Sequence, residues 1–355
     1  MRIVHTADIH LRGDREERWG ALSAVIDAAA EADAGVLVIT GDLFDRDFDA
    51  TPLKARLRPV LERFAGRVVV LPGNHDAAGI RAGDFFGRNV SVLAGTDVVT
   101  DIDGVRFVGV PFEDVSIDGT LARLRAASRQ RGDGASVLLY HGELLDLSPG
   151  SGAFGEEDDR EYMPARLGDL ADLGFDYVLA GHFHKNHDVR ACGRGFFTYS
   201  GSPVSITRRE TGPRHIGVID VGQAPVGHTL ATRHYAALDI RLSPADDEHP
   251  VARIERELSA LAPGAVALVE IHGYVDLSLL NMNESEFHAR IAETVARFDV
   301  EACSASACSD VSTILSGDLF RRFSARLAHS TLGEADRALV REMAIRAMME
   351  VPDAR

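Results

Sequence analysis

A chain of 355 residues exceeds the usual span of one domain, so a large domain accompanied by a smaller one is expected. With 45% hydrophobic and 26% charged residues, a disordered or fibrous chain is excluded. The 54 acidic residues outnumber the 38 basic ones and leave a formal net charge of -16, which speaks against a free-standing nucleic-acid binder working through its overall field. Three cysteines, Cys192, Cys303 and Cys308, form no paired framework and no C-x-x-C, the usage of a reducing compartment. Cys303 and Cys308, a C-x4-C, are read as two small, partly buried residues, with zinc binding as the lesser alternative. The run from Met1 to Asp8 lacks a signal-peptide core, and no stretch approaches the roughly 18 apolar residues that span a bilayer. A cytoplasmic location without membrane association is expected.

In chain order, short β-branched runs alternate with helix-like segments, the pattern of an α/β domain. The runs are Ile3–Thr6, Val36–Thr40, Val68–Leu71, Val105–Val108, Val137–Tyr140 and Tyr177–Ala180. Between the first two, Trp19, Leu22, Val25, Ile26 and Ala29 recur at helical spacing. Thr51-Pro52 reads as an N-cap followed by proline at the first helical position, opening a helix to about Phe64. Gly150 to Glu161 is rich in glycine and acid and has no periodicity, and is expected as a solvated surface insertion, with a functional lid as the alternative.

From Tyr235 the texture changes to strand 237–242, helix 250–261, strand 266–272, helix 284–298 and a short strand near Val300, a small α+β unit. Residues 318–349 read as two helices joined near Ser330 to Gly333. Leu319, Phe320, Phe323 and Leu327 form one apolar face, and Leu339, Met343, Ala347 and Met349 the other. Residues 317–355 carry a net charge of +1, against -9 for 235–316. That contrast admits two readings, a partner-docking element or a helix pair packed on its own domain. The expected domains are 1–234, 235–316 as an α+β cap, and 317–355 as a helical docking segment.

What stands after each strand is most informative: Asp8-Ile9-His10, then Gly41-Asp42-Leu43-Phe44-Asp45, then Gly73-Asn74-His75-Asp76, then His141-Gly142, then Gly181-His182-Phe183-His184. In open α/β sheets the reactive crevice lies beyond the carboxyl ends of the strands, so five segments deliver polar residues to one edge. The i, i+2 spacing of Asp8 with His10 and of His182 with His184 would turn both side chains of each pair to one side in extended backbone. Imidazole, carboxylate and amide oxygen without thiolate suit Mn, Fe or Zn. Seven candidate ligands (Asp8, His10, Asp42, Asn74, His141, His182, His184) are too many for one tetrahedral ion and about right for two sharing a carboxylate. Two such ions clamp a phosphoryl group for in-line displacement. The other nine histidines are expected as ordinary surface or core residues, with His187 placed to line the cleft.

The ordered motifs D-I-H, G-D-L-F-D, G-N-H-D, H-G and G-H-F-H resemble the calcineurin-like metallophosphoesterase superfamily. The resemblance covers residues 1 to about 221. Tyr199-Ser200-Gly201-Ser202-Pro203 and Glu210-Thr211-Gly212, with the appended α+β unit and helix pair, resemble the branch of SbcD and the DNA double-strand-break repair nucleases. This implies a two-sheet α/β/β/α sandwich followed by a small α+β capping domain and a C-terminal helix pair. It further implies that Asp8, His10, Asp42 and His184 hold one metal and Asp42, Asn74, His141 and His182 the other, with Asp42 bridging. By the same resemblance His75 contacts the scissile phosphate or protonates the leaving oxygen, and Asp45 and Asp76 orient ligands or His75.

The reading that follows is a phosphodiesterase acting on DNA as exo- and endonuclease. It would use two divalent ions, with Mn the expected metal and Fe, Zn or Mg as alternatives. It would form a homodimer and bind an SbcC-like SMC-family ATPase through its terminal helices. One alternative is a phosphoesterase for small phosphodiesters, nucleotides or phosphoproteins, which would share every ligand. The other is a chain that serves chiefly as an assembly subunit for the ATPase.

Overall fold

The β-branched runs become the central strands of two six-stranded sheets in the computed structural model, which describes residues 1–46, 49–147, 162–185 and 187–350. The expected insertion at 150–161 lies outside the described residues. The elements of the N-terminal part are β1 (Arg2–Thr6), α1 (Glu16–Glu31), β2 (Val36–Thr40), α2 (Ala50–Leu61), β3 (Arg67–Leu71), β4 (Val90–Val92), β5 (Val99–Ile102), β6 (Val105–Val110), α3 (Ile117–Ser128), β7 (Ala135–His141), α4 (Leu167–Ala171), β8 (Tyr177–Gly181), β9 (Asp188–Cys192), β10 (Gly195–Tyr199), β11 (Arg214–Asp220) and β12 (Val226–Leu230). The first sheet runs in the order β12-β11-β1-β2-β3-β4 and the second β5-β6-β7-β8-β10-β9. In the first, β1 to β4 are parallel; in the second, β6, β7, β8 and β10 are parallel.

Strand residues alternate between two cores, which is why these strands read as continuous apolar runs. Ile3, Val36, Val38, Val69 and Leu71 meet Phe107, Val137, Leu139, Tyr177 and Leu179 between the sheets. The intervening Val4, Leu37, Ile39, Val68 and Val70 pack against Leu22, Val25, Ile26, Leu57 and Leu61 of α1 and α2. On the far side, Val108, Leu138, Tyr140 and Val178 pack against Leu124, Ala127 and Leu170 of α3 and α4. The layering is therefore α/β/β/α, as expected.

The remaining elements are β13 (His234–Leu242), α5 (Pro250–Ser259), β14 (Ala265–Val275), α6 (Leu277–Leu280), α7 (Glu284–Val295), β15 (Val300–Asp310), α8 (Ser312–Ser316), α9 (Asp318–Ala328) and α10 (Glu334–Glu350). Strands β13, β14 and β15 form a three-stranded sheet. Its core joins Ile240, Val269 and Ile271 to Ile254 and Leu258 of α5 and Phe287 and Ile291 of α7. The chain divides into two compact units, Met1–Tyr235 with Ala262–Ala265, and Ala236–Leu261 with Val266–Arg355. No helix among the described residues is long and apolar enough to cross a membrane.

Three local expectations are revised. The N-cap of α2 is Asp49, and Thr51-Pro52 lies inside the first turn, where the missing proline N–H costs no helical bond. The short strand near Val300 is eleven residues long. Its small residues carry little strand propensity, and parallel pairing with β14 extends it, leaving Cys303 exposed. On the terminal helices Phe320, Leu327 and Ile345 are buried with Phe323 packed beside them, whereas Leu319, Leu339, Met343 and Met349 are exposed.

Candidate metal centre

The loops after β1 and β2 run side by side. Asp8 N–H donates to the Gly41 carbonyl (3.1 Å), His10 N–H to that of Asp42 (2.9 Å) and Leu11 N–H to that of Leu43 (2.9 Å). This ladder sets Asp8 and His10 against Asp42. The D-x-H spacing does not work through a pleat: β1 ends at Thr6, and Asp8, His10 and Asp42 all sit at positive φ, of 55°, 52° and 50°. His182 likewise lies beyond the end of β8, at φ 94°. L-residues pay roughly 1–3 kcal/mol for such backbone, and its concentration here marks a functional constraint. Two glycines allow the close approach. A Cβ at Gly41 (φ +91°) would lie 1.9 Å from Nδ1 of His141, and one at Gly73 would lie 2.2 Å from Oδ1 of Asp42.

Four donors, from Asp8, His10, Asp42 and His184, converge within 4.8 Å of one another, all buried. Nε2 of His10 lies 3.2 Å from Nε2 of His184 and 3.8 Å from Oδ2 of Asp42. The second sheet brings His141, whose Nδ1–H donates to the Thr40 carbonyl at 2.9 Å. Its Nε2 stands 2.8 Å from Oδ1 of Asn74 and 3.3 Å from Oδ2 of Asp42. The His182 ring is 5.4 Å from that of His141, centroid to centroid, and the His182 main-chain N–H donates to both oxygens of Asp8. All seven candidate ligands thus meet at one end of the two sheets.

His75 enters by two bonds. Its main-chain N–H donates to Oδ1 of Asp42 at 3.0 Å, and its Nδ1–H to the carbonyl of Asp45 at 2.9 Å. Its ring stands edge-on to His10 at 4.8 Å. The Asp45 carboxylate contacts His10 Nδ1 at 3.5 Å and Arg18 at 2.7 Å. Burial would raise its pKa, but His10 and Arg18 outweigh that and hold it well below the usual range. Asp76 ties two ligand loops together by accepting from Phe44 N–H (3.0 Å) and Gly73 N–H (2.8 Å). Burial, and then the nearby Asp42, push the Asp76 carboxyl up to about 7.

Sequence reasoning assigned no role to three buried charged residues. Arg18 on α1 bonds Asp45 and the His10 carbonyl. Glu210 accepts from Nδ1 of His184 at 3.2 Å, and Arg214 donates to the carbonyls of His184 (3.1 Å) and Lys185. The only signal was a charged residue interrupting an apolar helical face, in the case of Arg18, and the E-T-G tripeptide around Glu210.

The residues present fit a divalent metal. The buried Oδ2 of Asp42 makes no hydrogen bond, although two imidazole nitrogens stand 3.3 and 3.8 Å away. Donors bound to one ion at about 2.1 Å sit roughly 3.0–3.4 Å apart, close to several of the separations seen here. Two buried carboxylates, Asp8 and Asp42, supply the negative charge that cations balance.

A family model for calcineurin-like phosphoesterases matches residues 1–186. The uncharacterized metallophosphoesterase YhaO of Bacillus subtilis (strain 168) is 22% identical over 260 residues, 66% of this chain and 60% of the relative. The chain therefore spans less than two thirds of that relative's length. Among solved structures, TT1561 of Thermus thermophilus aligns with a TM-score of 0.42 at 14% identity, over 64% of this chain and 98% of its own. A dimetal phosphatase from Danio rerio aligns at 0.42 and 9% identity, over 65% and 96%.

Proposed function

The chain belongs to the calcineurin-like phosphoesterase family, and on that premise we propose that it is a metal-dependent hydrolase that cleaves DNA phosphodiesters, as an exo- and endonuclease of the SbcD type in DNA repair. In this reading Asp42 would serve two divalent ions, with manganese the expected metal. Asp8, His10 and His184 complete one site, and Asn74, His141 and His182 the other. The observation that supports the shared ligand is Oδ2 of Asp42, set between His10 Nε2 and His141 Nε2. When bound, the metals neutralise charge on the phosphoryl oxygens and activate water.

The protein's own groups do the rest. His75, protonated on both ring nitrogens, would give the proton on Nε2 to the departing sugar oxygen as the phosphorus–oxygen bond breaks, and keep Nδ1–H on the Asp45 carbonyl. Its ring is aimed in advance by the Asp45 carbonyl and by the backbone bond to Asp42. Asp45 and Asp76 hold His10 and the 44 and 73 loops in place. With its ladder, its buried carboxylates and its left-handed turns, the site is built before substrate arrives.

DNA is favoured over a small phosphodiester by residues 236–261 and 266–355, a whole second unit that a small-molecule hydrolase does not need. Its terminal helices expose Leu319, Leu339, Met343 and Met349, apolar side chains that this reading assigns to contact with an SbcC-like SMC-family ATPase. The acidic chain would gain most of its DNA affinity from that partner and from a homodimer. The test is to incubate the protein and Mn²⁺ with linear duplex DNA, with and without the ATPase, beside bis(p-nitrophenyl) phosphate. Manganese-dependent shortening of the duplex is expected. Hydrolysis of the small diester with the DNA intact under every condition would overturn the DNA reading.

A further inference from the structure

Glu210 lies 26 residues beyond His184 and outside the segment matched by the family model, yet it is completely buried. Its Oε1 accepts from His184 Nδ1 (3.2 Å), Thr207 N–H (3.2 Å) and Thr207 Oγ1 (3.2 Å), and its Oε2 accepts from Ile206 N–H (2.8 Å). Each of these four groups is a donor. The opposite edge of the His184 ring, Nε2, faces Asp8 Oδ1 at 4.0 Å and His10 Nε2 at 3.2 Å.

We infer that Glu210 is a positioning residue that fixes the tautomer of His184, keeping the proton on Nδ1 and the Nε2 lone pair turned into the metal centre. The chemistry allows one neutral arrangement. Were the proton on Nε2, the Nδ1 lone pair would face a buried carboxylate, and a protonated nitrogen would point at the metal. Arg214, itself 1% exposed, secures the geometry from behind. Its guanidinium donates to the carbonyls of His184 and Glu210, tying the ligand turn to the Glu210 turn. Ser202 N–H bonds the same His184 carbonyl at 3.0 Å. Carboxylates that orient a ligating histidine in this way are worth about 10–100-fold in metal affinity.

The inference rests on the metal-site reading of His184, and the test separates the two. Full-length protein labelled with ¹⁵N-histidine and loaded with diamagnetic Zn²⁺ should show His184 protonated at Nδ1 and metal-bound at Nε2. In Glu210→Gln one carboxylate oxygen becomes an NH2 group, which must oppose either the His184 and Thr207 donors at the Oε1 position or the Ile206 N–H at the Oε2 position. That variant should lose 10–100-fold in Zn²⁺ affinity by competition titration and lose the Nδ1–H signal of His184. A wild-type spectrum with the proton on Nε2, or wild-type affinity in Glu210→Gln, would overturn the role of Glu210. Wild-type affinity in His184→Gln would instead overturn the metal-site reading beneath it. The wild-type spectrum decides the matter even if the Gln variant does not fold.

Discussion

Oδ2 of Asp42 and Nε2 of His141 stand 3.3 Å apart although they belong to different sheets, Asp42 following β2 of the first and His141 ending β7 of the second. The contact is possible because Gly41 carries no side chain and because Thr40, at the end of β2, offers its carbonyl to the back of the same imidazole. The candidate metal centre is thus a seam between the two sheets as well as a cluster of candidate ligands. The arrangement of this seam determines what each substitution should do.

Gly41→Ala places a methyl group 1.9 Å from Nδ1 of His141 on a backbone at φ +91°. The ring must move or the turn must unwind. A loss of about 1–3 kcal/mol in stability is expected from the backbone alone, together with weakened binding at the His141 side. Denaturant unfolding and Mn²⁺ titration of this variant check both; a wild-type titration would show that His141 tolerates displacement.

His75 is held by its Nδ1–H on the Asp45 carbonyl and its main-chain N–H on the Asp42 carboxylate, and is not among the four donors that converge on the candidate metal site. His75→Ala should therefore retain its metal content while turnover falls by about 10²–10⁴-fold. Metal analysis beside a steady-state assay measures the two together. Loss of metal in this variant would move His75 from proton donor to ligand.

Much of this centre is legible in the amino-acid sequence, because Asp8, His10, Asp42, Asn74, His75, His141, His182 and His184 each sit in a short motif directly after an apolar strand. The two-core alternation of Ile3 and Val4, or Val38 and Ile39, is equally readable. Backbone geometry is not. The D-x-H pair works through left-handed turns where extended backbone was expected, since propensity says nothing about an aspartate held at positive φ by a neighbouring loop. Arg18, Glu210 and Arg214 are hidden for another reason. Each is an isolated charge in the sequence, and its partner becomes apparent only when distant segments pack. The same holds for Leu339 and Met343, whose spacing marks an apolar face without saying whether it is covered.

His5 gives the stability of the fold a pH dependence. Burial first, and then His187, lower its pKa to about 3, against about 6.5 in an unfolded chain. The unfolded state therefore takes up the proton more readily. The stability tied to neutral His5 is complete above about pH 6.5 and is lost as the pH falls toward 3, by up to roughly 1.4 kcal/mol per pH unit. Urea unfolding at pH 7.5 and 5.0 should show a smaller loss in His5→Gln than in the wild type. Equal losses would place the acid sensitivity elsewhere.

The shared position of Asp42 is most directly tested by metal stoichiometry. Elemental analysis of the wild type after Mn²⁺ loading and desalting should give two ions per chain, and Asp42→Asn, which removes the charge and keeps the shape, should lose affinity at both positions together. One ion retained at full occupancy in Asp42→Asn would contradict a carboxylate shared between two metals.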